Sequence, residues 1–197
     1  MSTIRTATDE DIDAIRDIAE AAWYAGVGGA LDPAAIAEAI ETYYDPEIVA
    51  AGVEADSVAF YVAETEAGNG ATDGEPSDEG SMDGESTDEE SMDGESTDEE
   101  STVVGFASAE RTWADEVELH TIYVHPDRWG EGVGAALLDE VAAWARAEGA
   151  DRIACGVLAD NAVGVGFFEA VGFRRGRKTE AEIAGSVREE YEYELSL

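Results

Sequence analysis

The residues best placed to do chemistry stand together in YVHPDRWGEGVGAALL, Tyr123–Leu138. An apolar run ends, a His-Pro turn follows, and Gly130, Gly132 and Gly134 lead into an amphipathic stretch. Glycine lets a backbone approach a ligand closely. The free N–H groups of such a turn and of a helix N-terminus suit a pyrophosphate. Glycine spacing alone leaves other folds open. A P-loop requires Gly-Lys-Ser/Thr, and no lysine stands here. A dinucleotide-binding unit carries an acid closing its second strand. Asp160 lies just past RIACGVL, so that test does not decide, although the three-strand meander ahead of the glycines does not suit that fold.

Other reactive side chains flank this run. Glu118 and His120 share one face of VELHTIYV by strand alternation. Tyr191 and Tyr193 sit on the last strand, where tyrosine is also an ordinary packing residue. His125 precedes Pro126 and shapes the turn. Cys155 is the single cysteine, so no internal disulfide exists, and it reads as a small core residue rather than a nucleophile.

These groups must be held by a folded frame. Ser2–Ala7 suits a first strand. Thr8-Asp9-Glu10-Asp11 is a T-x-x-D capping box, followed by Ile12, Ile15, Ile18, Ala19, Ala22 and Trp23 at helical spacing. Gly26–Gly29 ends that helix. Asp32-Pro33 opens a second and Asp45-Pro46 a short further one. Strands follow at Val58–Ala63, Val103–Ala107 and Val117–Val124. A helix spans Gly134–Glu148, a strand Arg152–Leu158 and a helix Asn161–Ala170. A last hairpin, Phe173–Glu182 with Val187–Leu195, turns at Gly185. Helices between strands give an α/β class with a mixed sheet.

Composition narrows the classes further. The 197 residues carry 47 acids against 11 bases, a formal charge of −36, and 44% are hydrophobic. That length and apolar share fit one domain with a real core. Sparse, scattered bases exclude a phosphate-binding stripe for nucleic acid. No apolar run approaches the ~18 residues of a membrane span, and MSTIRTATDEDID has no apolar signal region. The expectation is a soluble cytoplasmic protein. Residues 68–102 hold 14 of the acids and no base. SMDGESTDEE stands there twice, at Ser81–Glu90 and Ser91–Glu100, with a decayed copy at Ala71–Gly80. The repeat has too little apolar surface to offset its ordering entropy and lacks the alternating acids of a calcium loop, so it reads as a disordered insertion within a hairpin. The remaining residues keep 33 acids against 11 bases, so the charge is spread over the whole surface. We read it as adaptation to a salty medium of the halophilic kind, in which repulsion is screened, with a surface for a basic partner as the alternative.

Two blocks, IYVHPDRWGEGVGAALL and NAVGVGFFEAVGF (Asn161–Phe173), resemble the GNAT superfamily of N-acetyltransferases. The first is similar to its acetyl-CoA motif, usually Q/R-x-x-G-x-G/A, and the second to its later N-x-x-A-x-x-F-Y-E-x-x-G-F motif. The resemblance implies a single domain over residues 1–197, with a mostly antiparallel seven-stranded sheet flanked by about four helices. It implies acetyl-CoA as co-substrate, no metal, and direct acetyl transfer to a primary amine: a small molecule, a polyamine, or a protein N-terminus or lysine. Two copies pairing as a homodimer would also be in keeping with it. Ile122, Tyr123 and Val124 would face the pantetheine arm, which adds along a strand edge. Trp129, Gly130, Glu131, Gly132, Val133, Gly134 and Ala135 would hold the pyrophosphate, and Asn161 and Phe168 the cofactor arm. Glu118 would be the base, with His120 as base or substrate contact. The first two helices would shape the acceptor pocket, where Trp23, Tyr24, Tyr43 and Tyr44 stand. Three departures stand out. Trp129 replaces Gln or Arg, with Arg128 beside it. Glu131 stands where a base often faces phosphate and is expected to point to solvent. Phe168 replaces a tyrosine that often protonates the leaving thiolate, so either another group, with Tyr191 and Tyr193 as candidates, would donate, or the thiolate would leave unassisted and take its proton from water. The same departures leave a degenerate acyl-CoA-binding domain as the alternative, and the acidic insert an interaction module.

Overall fold

The computed structural model describes residues 2–66 and 101–197. The elements run β1 (Ser2–Thr6), α1 (Ile12–Val27), α2 (Pro33–Tyr43), α3 (Pro46–Glu54), β2 (Val58–Glu66), β3 (Ser101–Trp113), β4 (Glu116–Val124), α4 (Val133–Ala147), β5 (Arg152–Leu158), α5 (Ala162–Ala170), β6 (Arg174–Ile183) and β7 (Ser186–Ser196). The seven strands form one sheet in the order β1-β2-β3-β4-β5-β7-β6. Only β4 and β5 pair in parallel; every other neighbour is antiparallel. Among the described residues no helix is long and apolar enough to cross a membrane.

Five α-helices flank the sheet where about four were expected. The resemblance implied about four, while the separate start signal at Asp45-Pro46 already marked the short helix that makes five. Proline cannot continue α2, and the Asp45 carboxylate accepts a hydrogen bond from Glu47 N–H at 2.8 Å, which starts α3 afresh. Asp32 opens α2 in the same way through Ala34 N–H at 2.8 Å.

The strands β2 and β3 form the expected antiparallel pair, but they run further than their apolar centres indicate. Thr65 pairs with Thr102 and Glu66 with Ser101, so Ser101 and Thr102 belong to β3 and not to an insertion ending at Thr102. A backbone ladder tolerates polar residues where apolar periodicity has run out. The SMDGESTDEE repeats, expected to be disordered, lie outside the described residues.

Two cores lie on opposite faces of the sheet. Leu137, Leu138 and Val141 of α4 meet Val117, Ile153, Phe168 and Tyr193 on one face. Ile15, Trp23, Ile36, Tyr44 and Val49 of α1–α3 meet Phe60, Val62 and Phe106 on the other. The turn into α1 is fastened by charge. Arg5 donates to both carboxylate oxygens of Asp11 at 2.7 Å, and Thr8 N–H donates to Asp11 at 2.8 Å. Asp11 is only 4% exposed. Burial alone would raise its pKa. The hydrogen bonds from Arg5 and Thr8 outweigh that and hold it below the ordinary carboxylate value.

Asp11→Ala removes one partner of this pair and the cap together. It is expected to cost about 2–3 kcal/mol, between a lost cap and a fully buried broken pair. Because the folded pKa of Asp11 is depressed, its contribution is complete above the unfolded value near 4 and is lost as pH falls further. The difference in thermal unfolding between wild type and Asp11→Ala should therefore be constant at neutral pH and shrink below about pH 4.

Candidate active site

The site begins where two strands separate. The parallel β4–β5 pairing covers Glu116–Glu118 against Arg152–Ala154 and stops. Beyond it Leu119–Val124 and Cys155–Leu158 run on without each other. A bulge accompanies the split: Ser108 pairs with Thr121 and Ala109 with Leu119, which leaves His120 without a partner on β3. A bulge increases local twist and turns a strand edge away from its neighbour. Backbone N–H and C=O groups on the facing edges are thereby freed to pair with an extended ligand.

At the far end of β4 the chain meets the glycine loop. Gly130 and Gly132 have φ of +83° and +86°, a region glycine occupies without steric cost. Gly132 is the residue before α4 and caps nothing with a side chain, so the first N–H groups of the helix, at Val133, Gly134 and Ala135, stay open. Space around Gly130 and Gly132 is empty, whereas a Cβ on Gly134 would touch the Phe167 ring at 3.0 Å. Trp129 donates its indole N–H to Val124 C=O at 2.8 Å, tying the loop to the strand end. Glu131 is exposed and lies 3.4 Å from Arg128, off the cavity wall, while Arg128 lines it.

Across the gap, Asn161 starts α5. Its side-chain oxygen accepts from Gly164 N–H at 2.9 Å, which leaves the amide NH2 as the donor it can offer a ligand. Phe168 is 7% exposed and stacks on Tyr193 at 5.9 Å between centroids. The two tyrosines expected as proton donors point elsewhere. Tyr191 lies under the Arg175 guanidinium, 4.7 Å from its ring centre, and Tyr193 donates to Glu169 at 3.2 Å. Neither lines the cavity, so Tyr191 is not placed to protonate a ligand there. Tyr191 and Leu195 share the face of buried Tyr193 and pack against the α4–α5 core, and the even-numbered residues between them face the other side. Cys155 lines the cavity, but burial, then Glu190 and Glu118, push its thiol up to about 12, so it carries no thiolate at neutral pH.

That other side carries Glu190, a residue that sequence reading missed. Glu190 lines the cavity, Glu118 does not, and Glu118 is exposed. The Glu190 carboxylate fills the space left by Gly156 on β5: a Cβ there would lie 2.4 Å from its nearest oxygen. Neighbouring acids on β7 each have a cation beside them. Glu189 is paired with Lys178, Glu192 with Arg177 at 2.7 Å, and Glu194 with Arg174 at 3.0 Å. Among the described residues no cation pairs with Glu190. Burial, then the charges of Glu192 and Glu118, raise its pKa. His120 lines the same cavity and lies 3.5 Å from Glu110.

Together these groups surround a cavity of about 810 Å3, the size of a ligand site. It runs from the glycine loop through the β4–β5 gap to the face covered by α1–α3. Ile122, Tyr123 and Val124 line it, as do Trp129, Gly130, Gly132, Val133, Gly134, Ala135, Asn161 and Phe168. Among the described residues no cluster of three His, Cys, Asp or Glu side chains is arranged for a metal ion.

The sequence profile of the Acetyltransferase (GNAT) family matches residues 75–173, half of the chain. The chain belongs to the GNAT acetyltransferase family. No curated protein matches it. Solved structures share the GNAT fold over the whole chain. PaiA N-acetyltransferase from Thermoplasma acidophilum in complex with coenzyme A is 17% identical, with a TM-score of 0.71, and 99% of that chain is covered. The ribosomal-protein-S18-alanine N-acetyltransferase from Escherichia coli is 17% identical at 0.61, covering 94% of that chain. The yncA protein of Salmonella typhimurium with its cofactor acetyl-CoA is 20% identical at 0.56, likewise covering 94%. At these identities the likeness is one of fold. The residues present fit acetyl-CoA: open amides at a helix start for phosphate, and a parted strand edge for an amide-bearing arm.

Placing a side chain at the positive φ of Gly132 strains the loop by about 1–3 kcal/mol. Gly132→Val is expected to weaken coenzyme A binding at least ~10-fold by calorimetry. Gly149 has a comparable φ of +80° at the other end of α4, away from the cavity. Gly149→Ala should lower the melting temperature and leave that affinity unchanged.

Proposed function

We propose that this GNAT enzyme moves the acetyl group of acetyl-CoA to a primary amine by direct attack, without a covalent enzyme intermediate. The observation that carries this reading is the β4–β5 gap, with open backbone amides at one end and, at the other, the half-buried carboxylate of Glu190, beside which no cation stands among the described residues. Acetyl-CoA supplies an activated acetyl thioester. The chain's residues do the rest. Amides from Trp129 to Ala135 hold the pyrophosphate, with Arg128 replacing the charge that Trp129 lacks. The β4 edge at Ile122 and Val124 and the NH2 of Asn161 hold the arm, and an N–H near Ile122 is available to the thioester oxygen. Phe168 closes the wall but donates no proton, so the departing thiolate takes its proton from water.

An ammonium has no lone pair, so the acceptor must lose a proton before it attacks. Glu118 was the expected base. Its exposure and its position off the cavity wall favour Glu190 for that role, with Glu118 as a like-charged neighbour and His120 as an acceptor contact. A raised carboxylate pKa brings a base closer to its working pH.

Glu190→Gln should lower kcat/KM at least ~100-fold in a thiol-release assay with unchanged coenzyme A affinity, whereas Glu118→Gln keeps most of its rate. Wild-type kcat/KM should fall as acidification protonates Glu190. Glu192 is the larger of the two charges that raise the Glu190 pKa. Glu192→Gln therefore lowers that pKa and moves the acid limb to lower pH. An unmoved limb assigns the proton transfer elsewhere.

The charge of −36 supports a protein suited to high salt. At about 1 M salt the Debye length is ~3 Å and surface repulsion is largely removed. The melting temperature and coenzyme A affinity should both rise between low and molar KCl. Higher stability at low salt would contradict the salt adaptation.

A further inference from the structure

We infer that Asp160 is a positioning residue: together with the Ala30 carbonyl it holds the Arg188 guanidinium away from Glu190, so that this carboxylate stays free to take the acceptor's proton. The inference rests on Glu190 as the base proposed above and names the group that keeps it available. Arg188 and Glu190 stand two places apart on β7. Residues so spaced share a strand face, about 6–7 Å from each other. Both are turned toward the α1–α3 side. Arg188 donates to Ala30 C=O, in the turn between α1 and α2, at 3.0 Å. Glu190 lines the cavity together with Trp23 and Gly26 of α1. A guanidinium at that range would ordinarily pair with the carboxylate through charge-assisted hydrogen bonds. It does not. Nη1 of Arg188 lies 3.6 Å from Asp160 instead, in the turn that leads from β5 to α5.

The other cations on this face of the β6–β7 hairpin are taken as well. Arg177 pairs with Glu192 at 2.7 Å and Arg174 with Glu194 at 3.0 Å, and both acids share the face of Glu190. Around Glu190 stand Glu118 and His120 from β4, Cys155 from β5, Thr179 from β6 and Glu192 from β7. The helices α1–α3 bring no charged side chain to the cavity, and Arg128 belongs to its glycine-loop end. Burial, then Glu192 and Glu118, keep the Glu190 pKa raised. A guanidinium in contact would reverse that, because an opposite charge within ~4–6 Å lowers a carboxylate pKa by about 1–3. Its N–H groups would also occupy the oxygens that must receive the proton. Asp160 is exposed and lines no part of the cavity. It acts on the reaction through where it keeps Arg188.

The test is an NMR titration of Glu190 in the full-length protein, labelled with carboxyl-13C glutamate and held in molar KCl. The Glu190 resonance is identified by its loss in Glu190→Gln. Asp160→Asn keeps the size of the side chain and removes its charge. Arg188 then turns to Glu190, and the Glu190 midpoint should fall by about one pH unit, since a partly buried contact pair is little screened by salt. Asp160→Asn/Arg188→Gln should return the midpoint to the wild-type value, and Arg188→Gln alone and Asp160→Glu should leave it there. An unmoved midpoint in Asp160→Asn overturns the inference. So does a fall that persists in the double variant, which would reflect the lost Asp160 charge alone. A rise in Arg188→Gln alone also overturns it, because Arg188 would then already act on Glu190. Kinetics separate this from the base assignment. Thiol release from acetyl-CoA is followed with whichever of 2-phenylethylamine, spermidine or a peptide with a free N-terminal alanine reacts fastest. The acid limb of kcat/KM should move with the NMR midpoint. A limb that stays while the midpoint moves would leave the hold of Asp160 on Arg188 standing and overturn Glu190 as the base.

Discussion

Everything at the site follows from the early end of one parallel strand pairing. Had β4 and β5 stayed paired to their ends, each would have spent its backbone groups on the other, and the sheet would be closed. Pairing stops at Glu118 and Ala154, next to the bulge at His120. Two antiparallel neighbours hold the frame while the centre opens: β3 fixes β4 from one side, and β7 fixes β5 along its whole length. The two cores lie on opposite faces. A cavity through the parted sheet therefore joins two environments, a loop of open amides on one side and an apolar, helix-covered wall on the other. A two-substrate reaction needs that division.

How much of this could be read from the chain depended on how local each feature is. The glycine loop, the Asn161 cap of α5 and the Asp-Pro helix starts were legible because each is decided by a few adjacent residues. The third helix of the N-terminal half was legible as a start signal at Asp45-Pro46 and easily undercounted. The true reach of β2 and β3 was hidden because Glu66, Ser101 and Thr102 are ordered by ladder pairing, which leaves no apolar trace. Glu190 was hidden for a stronger reason. It is one acid in REEYEYE, and nothing local separates it from Glu189 or Glu192. Packing does: Glu190 is registered opposite Leu158, its carboxylate reaches into the space beside Gly156, and its neighbours Glu189 and Glu192 pair with Lys178 and Arg177. Strand parity would have decided Tyr191 once Tyr193 was known to be core, because residues two apart share a face.

The exterior and the interior carry opposite messages about the acceptor. A surface of −36 draws in any cation and so favours none. Specificity has to be read where water is excluded, because only there does an unpaired charge or an unpaired N–H carry a large cost. Glu190 is such a group, half-buried and with no cation beside it among the described residues. It stands in a wall that is otherwise largely apolar, and it makes a demand on the ligand that the outer acids cannot make.

The same charge sets a problem at the other end of the cavity, where a polyanion must bind to a strongly anionic protein. Cationic side chains there would be drawn to the surrounding acids, and Arg128 already lies 3.4 Å from Glu131. Backbone amides avoid that competition. They carry partial charge without net charge, cannot titrate, and act through hydrogen bonds at a distance that salt does not screen. High ionic strength removes the long-range repulsion between protein and phosphate while leaving these short contacts intact. Gly130 and Gly132 supply the backbone conformation that leaves the amides open, so on the proposed reading two residues without side chains take the place of phosphate-binding lysines.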